Sequence, residues 1–467
     1  MKKNVLIVAL GLVALSLNSQ TYVDITPTTF VQGIGDGSSA AYGDFNGDGK
    51  LDIILVGDQG NNVYLNDGKG GFTLADPAST GLDAGGMWWS SVDVADYDGD
   101  GKMDIVMQGW DNPGPVQHAY VYKGNGNGTF TKVATLAHGL SNGNVQFGDY
   151  DNDGKKDIIQ TGWDAVAVNG FSYIYHNAGN NVFTPISTPQ VPGLADGQAK
   201  WADLNKDGKL DIVLEGWNAT KIFLGNGAGT FTEKTNTLPA YDFSFVTVDD
   251  YDKDGNLDLL FGGHVPGSSP ATWETKVAKG DGTGNFTLQD FGLAGVERGP
   301  AVMGDCNKDG FKDFFVAGWN GNGSFAIYKN DQTNKVFTDV PDVNKVILGY
   351  PSGSLLVKDF NGDGFDEIFT CGWAVTGLYK NSLATKLDEN FVSAISIHAV
   401  ENSIHIQNAN ASLTQSSKIE VINTIGKSVA NVISGESTII IPNIKAGVYM
   451  VSVQSGTESK ITKLIIQ

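Results

Sequence analysis

Seven nine-residue segments of this 467-residue chain share the pattern Asp-x-Asp/Asn-x-Asp-Gly-x-x-Asp/Glu. At positions 1, 3, 5 and 9 the first two carry Asp44, Asn46, Asp48 and Asp52, then Asp96, Asp98, Asp100 and Asp104. The next two carry Asp149, Asp151, Asp153 and Asp157, then Asp203, Asn205, Asp207 and Asp211. The last three carry Asp250, Asp252, Asp254 and Asp258; Asp305, Asn307, Asp309 and Asp313; and Asp359, Asn361, Asp363 and Glu367. Alternate side chains of a tightly curled loop can point at one centre, and glycine at position 6 permits the positive φ such a curl needs. Position 7 varies freely as Lys50, Lys102, Lys155, Lys209, Asn256, Phe311 and Phe365, which suits a main-chain carbonyl ligand. Four side-chain oxygens and a carbonyl suit a hard cation of flexible coordination, so the expected ion is Ca²⁺, up to one per loop. Mg²⁺ usually keeps several waters, and Zn²⁺ would want His or Cys, neither of which stands at a ligand position. Position 12, where an EF-hand needs Glu, is Leu55, Met107, Gln160, Leu214, Phe261, Val316 or Thr370.

These loops hold nearly half of the 52 acidic residues and largely account for the net charge of −21. Without a cation each crowds three or four like charges, which is costly. The acidity argues against nucleic acid or an anionic membrane as a partner. Arg298 is the only arginine, so no multi-arginine phosphate clamp exists. Cys306 and Cys371 are too few for a disulfide scaffold or a cysteine zinc cluster and are expected to be buried free thiols.

The loops recur 47–55 residues apart, each in the same context. A short stretch such as SSVDVA or FSFVTVD precedes the loop. An apolar run follows it (53–56, 105–107, 212–214, 314–316), as suits a strand buried on both faces. Then come Gly-Trp or a variant, another strand (VYLND, YVYKG, IYHNA, KIFLG), a Gly/Asn turn and a strand opened by Phe-Thr. Four strands per repeat, with no 3.6-residue period, indicate propeller blades. The fold expected is all-β: a seven-bladed β-propeller over 21–382, a linker at 383–392 and a small β-sandwich over 393–467. Blades 1–6 end with Phe72, Phe130, Phe183, Phe231, Phe286 and Phe337, but blade 7 stops at 378–380. Residues 21–28, where Tyr-Val-Asp-Ile resembles Phe-Thr-Asp-Val of 337–340, are expected to supply its outer strand and so remove exposed edges.

Residues 1–20 read as a signal peptide, with Lys2 and Lys3 before an apolar run at 5–17 that is too short to span a bilayer. No other segment is long and apolar enough to span, so the mature chain is expected to be exported.

With these motifs the region 21–382 resembles the FG-GAP/VCBS repeat family, the propeller type of integrin α-subunits and several secreted lectins. The resemblance implies calcium at the loop positions named above, with Glu367 the one departure in side-chain ligand type. It also implies a binding or accessory role. The tail reads as alternating strands at 395–399, 404–407, 418–423, 438–441, 448–454 and 460–466. Its segments KIEVINTIGKSV, IKAGVYMVSV and TKLIIQ resemble the C-terminal sorting domain of the type IX secretion system of Bacteroidetes. That resemblance implies export across the outer membrane through this machinery, then release or surface attachment.

Gly-Trp places Trp110, Trp163, Trp217, Trp319 and Trp373 at the corner after the second strand, on the face opposite the acidic loops. These indoles could stack on sugars, or they could fill the wedges between blades, which is the reading the repeat geometry favours. Trp88 and Trp89, in a loop on that same face, are less periodic and so are better candidates for a specific contact. The glycine runs at Gly124, Gly225 and Gly280 lead into strands, so they read as hairpin turns and not phosphate loops. The six histidines are scattered, and no H-E-x-x-H or G-x-S-x-G signature occurs. The expected function is a secreted or cell-surface binding and adhesion module for carbohydrate or a surface protein, without catalysis. The alternative is a polysaccharide-active lyase or hydrolase built on a propeller.

Overall fold

The computed structural model describes residues 22–466 apart from 33–34, 36, 84, 113, 115, 187–190, 218, 322, 332–335, 340–352, 373–375 and 382–394. In the C-terminal region 401–402, 409–416, 424–426, 435–437, 446 and 456–457 are also excepted. The expected signal peptide and linker lie outside the described residues, as does Trp373.

The repeats form seven four-stranded antiparallel sheets. In blade 2 the order from inner to outer strand is Gly86–Ala95, Asp104–Asn112, Gln117–Gly124 and Phe130–Thr135. Each acidic loop joins the inner strand to the second, and its ninth residue opens the second strand. Second strands such as Asp52–Gly57 and Asp211–Gly216 are buried throughout. Their alternate residues serve two different interfaces, as a two-residue period dictates. Ile54 and Val56 pack with Ile105, Met107 and Tyr122 of blade 2, whereas Ile53 and Leu55 pack with Phe369 and Leu378 of blade 7. The core is therefore a set of wedges between blades. The runs after Gly124, Gly225 and Gly280 are hairpin turns, in which the N–H groups of Asn125, Asn226 and Asp281 donate to the carbonyls of Thr129, Thr230 and Asn285.

Blade 7 joins both ends of this unit. Ser354–Lys358, Glu367–Cys371 and Thr376–Asn381 are completed by Tyr22–Asp24 as the outer strand. Ile25 N–H donates to the Leu378 carbonyl at 2.9 Å, and Leu378 N–H donates to Thr26 Oγ1 at 2.9 Å. Tyr22 is only 4% exposed and packs in a cluster that holds Phe315, Ile368 and Tyr379. Cys306 and Cys371 are buried and unbridged.

A second compact unit holds the C-terminal strands. Ile395–Val400, Ser403–Asn408 and Thr438–Ile441 form one sheet; Ser428–Ser434, Ser417–Asn423, Gly447–Ser455 and Glu458–Ile466, in that spatial order, form the other. Ile404, Ile406, Ile439 and Ile441 of the first face Ile419, Val421, Val451 and Val453 of the second across one core. Ser428–Ser434 is a strand that the sequence pattern did not announce. It is an edge strand with a half-exposed Val429, so it carries little apolar alternation. Among the described residues no helix is long and apolar enough to cross a membrane.

The N-terminal strand should carry much of the seam's stability. Tyr22→Ala is expected to cost about 3–5 kcal/mol, and deletion of 21–28 more, in denaturant melts. An unchanged midpoint would mean that the seam closes without it.

Candidate functional site

Two left-handed residues curl each acidic loop. Position 6 is glycine in all seven, with φ between 80° and 88°. A Cβ at Gly49 or Gly101 would meet nothing within 4 Å, so backbone conformation and not space demands glycine there. Position 4 is also left-handed in all seven, as Gly47, Gly99, Asn152, Lys206, Lys253, Lys308 and Gly362. The curl turns loop N–H groups onto the carboxylates. Asp44 Oδ1 accepts from Gly47 at 2.7 Å and Asp48 at 3.1 Å, and its Oδ2 accepts from Gly49 at 2.8 Å. Asp96 repeats the arrangement in blade 2. Oxygens of Asp96, Asp98 and Asp104 lie within 4.8 Å of one another, as do those of Asp149, Asp151 and Asp153 and those of Asp250, Asp252 and Asp254. Oδ1 of Asp252 and Oδ1 of Asp305 are buried without a hydrogen-bond partner. Converging hard oxygens with unsatisfied lone pairs fit a cation.

The ninth residue does more than face this centre. In blades 1–6 it is fully buried, and each of its two oxygens accepts a backbone N–H. Asp52 takes Phe45 N–H from its loop at 2.9 Å and Asn66 N–H from the end of the third strand at 2.8 Å. Asp104 takes Tyr97 and Gly124, and Asp211 takes Leu204 and Gly225, in the same way. The longer Glu367 takes Phe360 N–H at 3.0 Å and also the Asn361 side-chain amide at 2.7 Å. Burial pushes these carboxyls up, to about 6 for Asp52, Asp211 and Asp313 and to about 7 for Asp104 and Asp258. The two backbone donors oppose the shift and the other loop carboxylates add to it.

A cationic partner from the third strand was not anticipated. Lys123 Nζ contacts Asp98 and lies 3.1 Å from Asp100 Oδ2; Lys279 Nζ contacts Asp252 and lies 2.8 Å from Asp254 Oδ2. His176 Nδ1 lies 3.2 Å from Asp151 Oδ2, and Lys380 Nζ lies 3.0 Å from Asp363 Oδ2. All four occupy one repeat position. The signal was present in the sequence: the three loops with Asp at position 3 are the ones in blades 2, 3 and 5, and all three have Lys or His there. Blades 1 and 4 pair Asn46 and Asn205 with Leu65 and Leu224 at that position.

On the opposite face the four described Gly-Trp indoles stand outside the buried clusters between blades, contrary to the packing expectation. Trp217 is 53% exposed and Trp319 37%, while Trp110 and Trp163 are half-buried. The wedges are already filled by the aliphatic and aromatic residues of the second and third strands. Blade 2 stands out because its first three strands run to 10, 9 and 8 residues. On this lip Trp88 and Trp110 are cross-strand partners, and a bulge follows Trp88. Trp89 meets Trp110 edge-on at 6.3 Å. Trp88 and Trp89 are 40% and 37% exposed. On the other face of the same sheet His118 Nδ1 lies 2.6 Å from Asp111 Oδ2, Tyr120 donates to the same oxygen at 3.2 Å, and the His118 and Tyr120 rings stack.

Two outcomes test the loops. With cations chelated, a ninth-position carboxyl raised above its ordinary value near 4 holds its proton more tightly folded than unfolded. Stability in chelator should therefore rise as pH falls from about 7 toward 4, and the added stability from a divalent cation should shrink over the same window. Melting curves across that range with and without chelator measure both. Replacing Lys123 or Lys279 by Leu, the type found in blades 1 and 4, should tighten divalent-cation binding by about two- to fivefold in calorimetry and lower stability in chelator.

Comparison with known proteins agrees with this architecture. The FG-GAP-like repeat model matches residues 44–107, 111–159, 203–261 and 305–370, about half of the chain, and includes every acidic loop. The secretion system C-terminal sorting domain model matches residues 400–467. No curated protein compared with the chain matches it. Among solved structures, the chain is similar to an Agrocybe aegerita lectin that recognises non-reducing terminal N-acetylglucosamine. The identity is 23% and the TM-score 0.45, over 66% of this chain and 81% of the lectin. It is also similar to a rhamnogalacturonan lyase at 16% identity and a TM-score of 0.43, over 77% of this chain and 75% of the lyase. The chain belongs to the FG-GAP-like repeat family, as a seven-bladed β-propeller followed by a type IX secretion C-terminal sorting domain.

Proposed function

We propose that the chain is a secreted or cell-surface calcium-binding propeller that serves as a binding and adhesion module for carbohydrate. The C-terminal domain delivers it through the type IX machinery. The observation that carries the reading is the exposed lip of blade 2. Trp88, Trp89 and Trp110 stand there together, and Asn142, whose N–H donates to the Trp89 carbonyl, sets a carboxamide beside Trp89. Large, partly exposed indoles next to polar groups are what the alternating apolar faces and hydroxyls of a sugar require. Calcium in the loops neutralises the carboxylate clusters and so holds the inner, second and third strands of each blade together. Its place is structural, and the chemistry it supplies is charge neutralisation and coordination of the loop oxygens.

Binding without turnover is the preferred reading because most of the aspartates are committed to loops on the other face. The alternative, a polysaccharide lyase or hydrolase, rests on the His118–Asp111–Tyr120 arrangement, which sets a base beside a hydroxyl.

A glycan array with the mature chain should show binding that falls at least about tenfold with Trp88→Ala or Trp110→Ala and weakens in chelator. An array with no bound glycan would reject the reading. Unsaturated or reducing-end product from a polysaccharide panel, lost with His118→Ala, would replace it by the enzymatic one.

A further inference from the structure

Seven residues before each motif aspartate the chain makes a second kind of left-handed turn. Trp89, Asn142, Asp196, Phe243 and Arg298 have φ of 44°, 49°, 50°, 49° and 54°, and Gly37 of blade 1 has 70°. The seventh equivalent, residue 352, lies outside the described residues. These residues stand where each blade enters its inner strand, and together they line a cavity of about 150 Å³. Below it a channel of about 460 Å³ is lined by inner-strand residues of all seven blades. The cavity is therefore the mouth of the central channel, on the face away from the acidic loops.

Backbone bonds between blades enforce the conformation. Asn142 N–H donates to the Trp89 carbonyl at 3.2 Å, and Arg298 N–H to the Phe243 carbonyl at 2.9 Å. Ser90 N–H donates to the Gly37 carbonyl at 2.6 Å, and Ser244 N–H to the Asp196 carbonyl at 3.1 Å. A non-glycine residue in this region costs about 1–2 kcal/mol, and a repeat that needed only the turn would be served better by glycine. Blade 1 does use glycine, where a Cβ would fall 2.4 Å from Trp89 Cα. The other described positions instead present an indole, a carboxamide, a carboxylate, a phenyl and the chain's one guanidinium. Strain retained while side-chain chemistry differs at every position points to display at a functional surface.

Arg298 is the most informative member. Its guanidinium lies 3.7 Å over the Phe243 ring, and its nearest carboxylate approach is 3.9 Å, from Nε to Glu297. Among the described residues no side chain accepts a hydrogen bond from it. Asp196 is close enough to feel its charge yet forms no ion pair with it; burial pushes the Asp196 carboxyl up and Arg298 opposes this. A guanidinium held over an aromatic ring, with no side-chain acceptor bonded to it among the described residues, is prepared for a bidentate anion.

We propose that the channel mouth binds the carboxylate-bearing terminal residue of a glycan: Arg298 takes the carboxylate, Trp89 covers the apolar face of the sugar, and Asp196 and Asn142 take hydroxyls. This rests on the carbohydrate reading and narrows it. The cavity is well below the ~300 Å³ of pockets that enclose a whole ligand, so it accepts an end and not a chain. A polyanion would be repelled along its length by a protein of net charge −21, whereas one terminal carboxylate at the mouth has Arg298 within reach to offset the nearby Asp196.

The test is calorimetry on the full mature chain with calcium, using a glucuronate-terminated oligosaccharide and its glucose-terminated counterpart. The acid-ended probe should bind at least about tenfold more tightly, and Arg298→Gly should abolish that preference. Because glycine relieves the strain at this φ, Arg298→Gly should melt at or above the native temperature. If it instead loses the fold, Arg298→Lys, which keeps the charge and loses the planar fork, provides the second variant; it should narrow the preference for the acid-ended probe, and an unchanged preference overturns the site. Equal binding of the two probes by the native chain, or a preference that survives Arg298→Gly, overturns the channel-mouth site and leaves the carbohydrate reading standing. Failure of both probes together with an empty glycan array overturns both.

Discussion

A buried carboxylate at the start of each second strand is the interaction on which the propeller depends. Asp52 joins the loop after the inner strand to the end of the third strand by accepting one N–H from each. The residue at that third-strand end extends the tie, because the Asn66 amide donates to the Leu51 carbonyl and, in the preceding blade, to the Phe360 carbonyl. Asn177 and Asn330 reach Tyr97 and Tyr251 in the same manner. Each blade thus locks its own loop and, where Asn is present, the loop beside it. The cost is a charge held out of water among other charges, which is why the loop must offer backbone donors, a lysine or histidine, or a cation.

That constraint explains how much of the molecule could be read from the chain alone. Motif positions 1, 3, 5, 6 and 9 are fixed by chemistry that few residue types can perform, so blade number, register and the second strands were legible. So was the N-terminal strand of blade 7, since Tyr22 and Ile25 carry the outer-strand pattern that blade 7 lacks. The left-handed fourth position was half-legible, as Gly or Asn in four copies and Lys in three. The ring at the channel mouth was not legible at all. Trp89, Asn142, Asp196, Phe243 and Arg298 share a backbone conformation and an inter-blade bond but no side-chain property, and a search by residue type passes over them. The wedge-filling expectation for Gly-Trp failed for a related reason: periodicity shows that a position recurs, but not whether it points inward.

The two faces divide the work in a way the repeat makes natural. On one, seven copies must perform the same electrostatic task, so residue types converge. On the other, backbone bonds between blades fix the left-handed turns at the channel mouth, and the side chains at those turns are free to differ. The lip of blade 2 and the channel mouth lie on this face, and Trp89 belongs to both. A ligand that extends from the mouth over Trp89 toward Trp88 and Trp110 would use one continuous surface.

The same division bears on the high net charge. An acidic protein repels acidic polymers at long range, yet its one arginine is spent on this face, far from the loops whose carboxylates it could have neutralised. The lysines serve that purpose instead: Lys123, Lys279 and Lys380 lie against loop aspartates. Lysine suffices where a point charge must be cancelled, while arginine brings a planar fork whose geometry matters only if something planar is to be gripped. That fork lies over Phe243 at the mouth of the channel, with no side chain hydrogen-bonded to it among the described residues, a placement that suits the recognition role proposed for it.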